Sequence, residues 1–152
     1  MYTPNNPRIL KGVVPPVCTP FTSDYQVDEV SLRRLINHLI DSGVHGLFIL
    51  GSTSEVAYLT DKNRAEVIRI TMDEVKGRVP VVVGAIDTTT LRVIEHVKTA
   101  VAAGVEGIVL QLPSMYVLTR QKSPAISDWL RKPARHPDLC VRHPDCRQWC
   151  EA

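Results

Sequence analysis

At 152 residues, 44% hydrophobic and 22% charged with a formal net charge of +2, the chain has the makeup of one globular domain or part of one. This composition excludes a disordered tail, a collagen-like repeat and a coiled coil, and so small a charge gives no footing for nucleic acid or an anionic membrane surface. No apolar stretch approaches the ~18–20 residues that span a bilayer, and the polar, proline-rich Met1–Arg8 lacks the basic and apolar regions of a signal peptide. Cys18 stands alone and Cys140, Cys146 and Cys150 crowd the far end, so free thiols in a reducing cytoplasm are expected.

Strand and helix patterns alternate through the first three quarters. Val13, Val14, Val17 and Cys18 predict a first strand, closing on Thr19-Pro20. A helix is expected after Asp28, with Leu32, Leu35, Ile36, Leu39 and Ile40 on one stripe and Gly43 as its stop. Leu47–Leu50 predicts a second strand ending in Gly51-Ser52-Thr53, and Thr60 can cap the next helix, with Ala65, Ile68, Met72 and Val75 inward. Val79–Val83 predicts a third strand ending at Gly84. Its helix carries Leu91, Ile94, Val97, Val101 and Ala102 and stops at Gly104, before a fourth strand at Ile108–Leu110.

Strands apolar at every position, rather than alternating, are buried on both faces, as in a parallel sheet covered by helices. Their recurrence every ~28–34 residues is the length of a βα unit. Gly43-Val44-His45-Gly46-Leu47-Phe48-Ile49 is echoed two units later by Gly104-Val105-Glu106-Gly107-Ile108-Val109-Leu110. Local pattern predicts an α/β chain of about four βα units, compatible with a doubly wound sheet or with part of a barrel. His38, His45 and His96 lack metal-ligand spacing and are expected to face solvent, and neither a phosphate loop nor a dinucleotide fingerprint occurs.

Beyond Gln121 the character changes. Ser123-Pro124, Lys132-Pro133, His136-Pro137 and His143-Pro144 break every helix or central strand, which leaves an irregular tail over 122–152. Cys140, Cys146, Cys150, His136 and His143 offer one zinc reading of it, without the paired Cys-x2-Cys knuckle of common zinc modules. The genetic code offers another. Codons for Lys122–Pro133 read from the third base permit I-A-G-H-F-R-L-A-A-E-A, an amphipathic helix, with its leucine forced by Asp128-Trp129. Codons for Arg135–Ala152 read from the second base permit D-I-P-I-C-A-Y-D-I-P-T-A-V-S-G-V-K, a strand and proline turn, with its glycine forced by Trp149-Cys150. Two single-base losses, near Lys122 and Ala134, are therefore expected to make 122–152 an out-of-frame product; a genuine irregular tail is the alternative.

Four pieces in register carry a family resemblance: Gly12-Val13-Val14-Pro15-Pro16-Val17-Cys18-Thr19-Pro20-Phe21, Gly51-Ser52-Thr53-Ser54-Glu55, Pro80-Val81-Val82-Val83-Gly84, and Pro113-Ser114-Met115-Tyr116. With them the chain resembles the dihydrodipicolinate synthase/N-acetylneuraminate lyase family of Schiff-base aldolases, from about Gly12 to Gln121. The restored out-of-frame string is similar to that family's fifth strand. The resemblance implies a partial (β/α)8 TIM barrel, the amino-terminal half of a cofactor-free, homo-oligomeric fold of roughly 290–310 residues. It implies a domain piece over 1–121, a small-molecule 2-oxo acid such as pyruvate as ligand, and neither a metal nor a cofactor.

Residue by residue, the resemblance places Ser52 and Thr53 in the loop that binds the 2-oxo-acid carboxylate, with Thr19 assisting. It makes Tyr116 the proton-relaying phenol, in Pro113-Ser114-Met115-Tyr116 where the family usually has Pro-Tyr-Tyr. Ser and Thr after a strand also serve plain turn roles. Ser54 stands where the family has a second glycine, and is expected to be strained if that position needs positive φ. Glu55 is expected to brace the loop. The family's imine-forming lysine closes strand six, and Lys11, Lys62, Lys76, Lys98, Lys122 and Lys132 match no such place. The chain is thus expected to be an inactive aldolase fragment; a half-barrel binding module is the alternative function.

Overall fold

A computed structural model describes residue 10 and residues 12–111. Its elements are α1 (Glu29–Asp41), β1 (Leu47–Ile49), α2 (Asp61–Val75), β2 (Val81–Ile86), α3 (Thr90–Ala102) and β3 (Gly107–Gln111). The strands form one parallel sheet in the order β1-β2-β3, with Leu47 opposite Val81 and Val83 opposite Ile108. Parallel neighbours joined by helices are what uniformly apolar strands require, because both sheet faces need cover.

The expected first strand does not form a ladder. Pro16 makes one isolated parallel bridge to Phe48, framed by Val17 N–H to Phe48 O (2.8 Å) and Phe48 N–H to Pro15 O (3.0 Å). Pro15 and Pro16 have no N–H to donate, and the segment lies beside β1 with this one bridge in place of a continuous ladder. Val17 is buried, whereas Val13 and Cys18 are exposed. Three parallel strands plus this bridged segment thus replace the four predicted.

The helix ends obey local rules. Asp28 caps α1 by accepting from Ser31 N–H at 3.0 Å, and Thr60 caps α2 by accepting from Asn63 N–H at 3.2 Å. The α1 stripe is as predicted, with Leu32 and Ile36 fully buried and Leu35, Leu39 and Ile40 packed against the core. Each fully buried branched side chain contributes about 1.5–3 kcal/mol.

Helices α2 and α3 bury Ile68, Val75 and Val97 as predicted, and differ at the remaining positions. In α2 the buried residues are Asn63, Arg64, Val67, Ile68, Ile70, Thr71 and Val75, while Ala65 is exposed and Met72 half-buried. In α3 they are Val93, Val97 and Ala100, and Leu91, Val101 and Ala102 are exposed. β2 also runs past Gly84 to Ile86, so that glycine is a strand residue rather than a stop.

The repeated glycine motif is a repeated joint. Gly43 and Gly104 take left-handed φ values of +83° and +76°, which lets each chain leave its helix for the next strand. Two residues on, His45 N–H donates to Val13 O (2.8 Å) while its Nδ1 accepts from Val13 N–H (3.1 Å). Glu106 repeats the pattern on Val81, by N–H to Val81 O (3.0 Å) and Oε2 from Val81 N–H (2.9 Å). Each joint thereby satisfies both polar groups of the residue that leads into the neighbouring strand.

Candidate functional site

The site lies at the carboxyl ends of the first segment, β1 and β2. β1 ends at Ile49, and Leu50, almost fully buried, turns left-handed at φ 55°. So bulky a residue at positive φ is uncommon and holds local strain. The turn throws Leu50 O against Gly84 of β2 and starts the loop. Two short 3-10 turns follow, Ser52–Ser54 and Val56–Tyr58, joined at Glu55 with φ 57° and ψ 31°.

Ser54 anchors the first turn. Its side chain is 1% exposed, Oγ donates to Val17 O, and its own carbonyl accepts from Thr19 Oγ1 at 3.0 Å. The loop is thereby fastened to the first segment at two points. Ser52 and Thr53 lie exposed on that turn, and among the described residues their hydroxyls have no hydrogen-bond partner. Ser54 and Glu55 direct their N–H groups back to Gly51 O and Ser52 O.

The strain expected at Ser54 falls elsewhere. Ser54 lies within the 3-10 turn, and the left-handed positions are Leu50 and Glu55. A serine hydroxyl there gives the loop a fastening that glycine cannot. Glu55 braces the loop through its backbone: Glu55 N–H closes the first turn and Glu55 O accepts from Tyr58 N–H at 2.9 Å to open the second. Thr19 is buried beneath the loop as a support for Ser54. Replacing Ser54 by alanine is expected to cost about 1–2 kcal/mol, read from urea unfolding, because Val17 O loses its donor in a buried place.

A second group of side chains has no precedent in the sequence reading. Arg64, 8% exposed, donates from Nη2 to Val56 O (2.9 Å) and from Nη1 to Ile86 O (2.9 Å). Asp87, just past β2, has one carboxylate oxygen 2.8 Å from His96 Nε2, 2.9 Å from Arg92 Nε and 3.5 Å from Arg64 Nη1. Its other oxygen accepts from Thr88 N–H at 2.7 Å. Arg92 reaches on to Asp61 at 2.7 Å.

Burial pushes the Asp87 carboxyl up, but the hydrogen bonds from His96, Thr88 and Arg92 outweigh it and hold the group well below the usual carboxylate range. Burial lowers the Arg64 guanidinium, which the Asp87 charge partly offsets. His96 was expected to face solvent; it is half-buried here because Asp87 and Arg64 meet its Nε2, each at 2.8 Å. One ring nitrogen can donate to the first or accept from the second, not both. An arginine on a predicted apolar face, one turn before Ile68, was the signal available in the sequence.

Asp61, Asp87 and His96 bring ligand atoms within 4.8 Å of one another. Arg64 and Arg92 already place their cations in that space, so the trio is an ion-pair network rather than a cation site. Tyr116 lies outside the described residues, as do Lys11, Lys122, Lys132 and the Cys140, Cys146, Cys150, His136 and His143 tail. Lys62 and Lys98 are in helices and Lys76 caps α2. Among the described residues, no helix is long and apolar enough to cross a membrane.

The chain is similar in sequence and fold to known proteins. The chain is 39% identical over 105 residues to a 4-hydroxy-tetrahydrodipicolinate synthase of Salinibacter ruber, covering 69% of this chain and 35% of that one. Its fold matches YagE of Escherichia coli K12, a prophage protein of the dihydrodipicolinic acid synthase family solved with pyruvate. That match has TM-score 0.69 and 39% identity, over 73% of this chain and 37% of that one. It also matches dihydrodipicolinate synthase from Bacteroides thetaiotaomicron, with TM-score 0.69 and 38% identity over 80% of this chain and 40% of that one.

The chain therefore spans little more than a third of these relatives, corresponding to the amino-terminal third of their TIM barrels rather than the half that was expected. The model of the dihydrodipicolinate synthetase family matches residues 9–139. The chain belongs to that family of class I aldolases and lyases.

Proposed function

We propose that this chain carries the carboxylate-recognition loop of a Schiff-base aldolase or lyase for pyruvate or another 2-oxo acid, and that the 152-residue polypeptide forms no imine itself. The observation that carries this reading is the pair of exposed, unpartnered hydroxyls of Ser52 and Thr53, on a turn fastened from below by Ser54 and Thr19. Aligned neutral donors suit a carboxylate, since they bind it without adding a fixed charge. The pyruvate complex of the related YagE supports the ligand class.

Tyr116 is the proposed proton relay, a phenol able to pass a proton between imine nitrogen and substrate oxygen. The chemistry further needs an amine at a strand's carboxyl end, where loss of water gives an imine. Its protonated form accepts the electron pair of a breaking C–C bond as an enamine, and the enamine returns that pair when the bond forms. Lys62, Lys76 and Lys98 belong to α2, its cap and α3. Their helical placement supports the absence of an imine-forming amine at a described strand end.

Borohydride reduction of the chain in the presence of pyruvate, read by intact mass, is expected to give no covalent adduct. The product of a gene restored to the alternate frames after codon 121 is expected to give one. An adduct mapped to any lysine of the 152-residue chain overturns the reading. The coding DNA tests the frame proposal separately: stop codons or unrelated residues in the shifted readings of 122–152 exclude it.

A further inference from the structure

The loop from Gly51 to Leu59 is fastened at both ends, by different means. Ser54 and Thr19 hold its first turn on the first segment. Its second turn packs Val56 and Leu59 into the core. Among the described residues that turn accepts a side-chain hydrogen bond from Arg64 of α2, whose guanidinium reaches Val56 O on one side and Ile86 O, the last residue of β2, on the other. A planar guanidinium sets the angle between two carbonyls that it bridges, whereas a lysine ammonium on a flexible stem does not.

Stability alone gives a weak reason for this arginine. Its Nε is buried without a hydrogen-bond partner. Its charge lies among the carbonyls, His96 and Asp87, and buried ion pairs of this kind are often no better than an apolar side chain of similar size. What an apolar side chain cannot do is tie the second turn to the end of β2.

We propose that Arg64 is a positioning residue: by bridging Val56 O and Ile86 O it sets the 52–58 loop against β2 and so fixes where the Ser52 and Thr53 hydroxyls meet a ligand. This rests on the 2-oxo-acid reading of those hydroxyls. Arg64 itself touches no ligand in this assignment. Asp87 supplies its counter-charge and, with Arg92 and Asp61, joins the same end of β2 to α3 and to the start of α2.

The test is amide hydrogen exchange of the full chain at Ser54, Glu55, Tyr58 and Leu59, whose N–H groups close the two turns. In R64K, exchange at Tyr58 and Leu59 is expected to rise about tenfold, and less at Ser54 and Glu55, whose turn keeps its Ser54 and Thr19 bonds, while the amides of β1 and β2 keep their protection. In R64A, millimolar methylguanidinium is expected to restore loop protection, and equal methylammonium is not. Pyruvate-induced shifts of the Ser52 and Thr53 amides are expected to need about ten times more pyruvate in R64K than in the unsubstituted chain.

Unchanged loop protection in R64K overturns the proposal, and so does loss spread equally over loop and strands. Indifference of R64A to methylguanidinium also counts against it. A lack of pyruvate-induced shifts in the unsubstituted chain sinks the 2-oxo-acid reading instead, while the exchange data still decide whether Arg64 sets the loop.

Discussion

Gly84→Ala is expected to lower the unfolding free energy by about 3 kcal/mol or more, at the upper end of what overpacking costs. A Cβ at this position falls 2.1 Å from Leu50 O and 2.9 Å from Leu50 C, both backbone atoms that cannot swing aside as a side-chain tip does. Leu50 is already left-handed at φ 55° and 2% exposed, so its carbonyl has little freedom to turn away. Relief would have to move Gly51 to Ser54, and with them the Ser52 and Thr53 hydroxyls. Gly77→Ala is the control. That glycine, unlike Gly84, has positive φ, at +73°, and nothing within 4 Å of its added Cβ. Its cost is expected near 1 kcal/mol, from the backbone alone. Urea midpoints measure both, and equal losses would mean that the approach of β1 to β2 is looser than described.

Asp87→Asn is expected to cost about 3–5 kcal/mol, the usual effect of removing one partner from a buried charge pair. The Asp87 side chain is 8% exposed and neutralises an Arg64 guanidinium that is itself 9% exposed. An amide keeps some hydrogen bonds and loses the charge. The pH dependence has a definite sign. Asp87 is held below its unfolded value of about 3.9, so its stabilisation is complete above pH ~4 and fades as pH falls through the lower folded value.

The unsubstituted chain should therefore lose stability below pH ~4 faster than D87N does, with a constant gap between them at neutral pH. Glu29, Asp73 and Glu74, all lowered by hydrogen bonds to Arg33, titrate in the same direction in both proteins. The difference between the two unfolding curves, rather than either alone, isolates Asp87. Parallel slopes below pH ~4 would show that the Asp87 charge does not contribute in the folded state.

Where a feature depends on neighbours a few residues away, the amino-acid order was a good guide. Asp28 and Thr60 cap their helices because the bonded N–H lies three residues on. Gly43 and Gly104 end theirs because only the following backbone matters. The α1 stripe was legible since Leu32, Leu35, Ile36, Leu39 and Ile40 recur at helical spacing among Ser31, Arg33, Arg34, Asn37 and His38. Pro15-Pro16 carried a warning against a full first ladder, and the apolar run around them obscured it. The Gly-x-x-Gly echo was visible, while the bonds that His45 and Glu106 make to Val13 and Val81 were not.

The order of residues by itself determined an α/β chain, the starts of α1 and α2, the stops after α1 and α3, the hydroxyl-bearing loop after Leu50 and the kinship with the aldolases. Tertiary structure alone decided that Arg64 joins the inward face of α2, why Gly84 must lack a side chain, and that Arg64, Asp87 and His96 meet. The reason is range. Apolar periodicity registers that a helix has an inner face, but Arg64 is buried only because carbonyls eight and 22 residues away and the Asp87 carboxylate close around it. A charge can enter the interior only where distant chain segments supply its partners together, and that convergence exists in three dimensions alone.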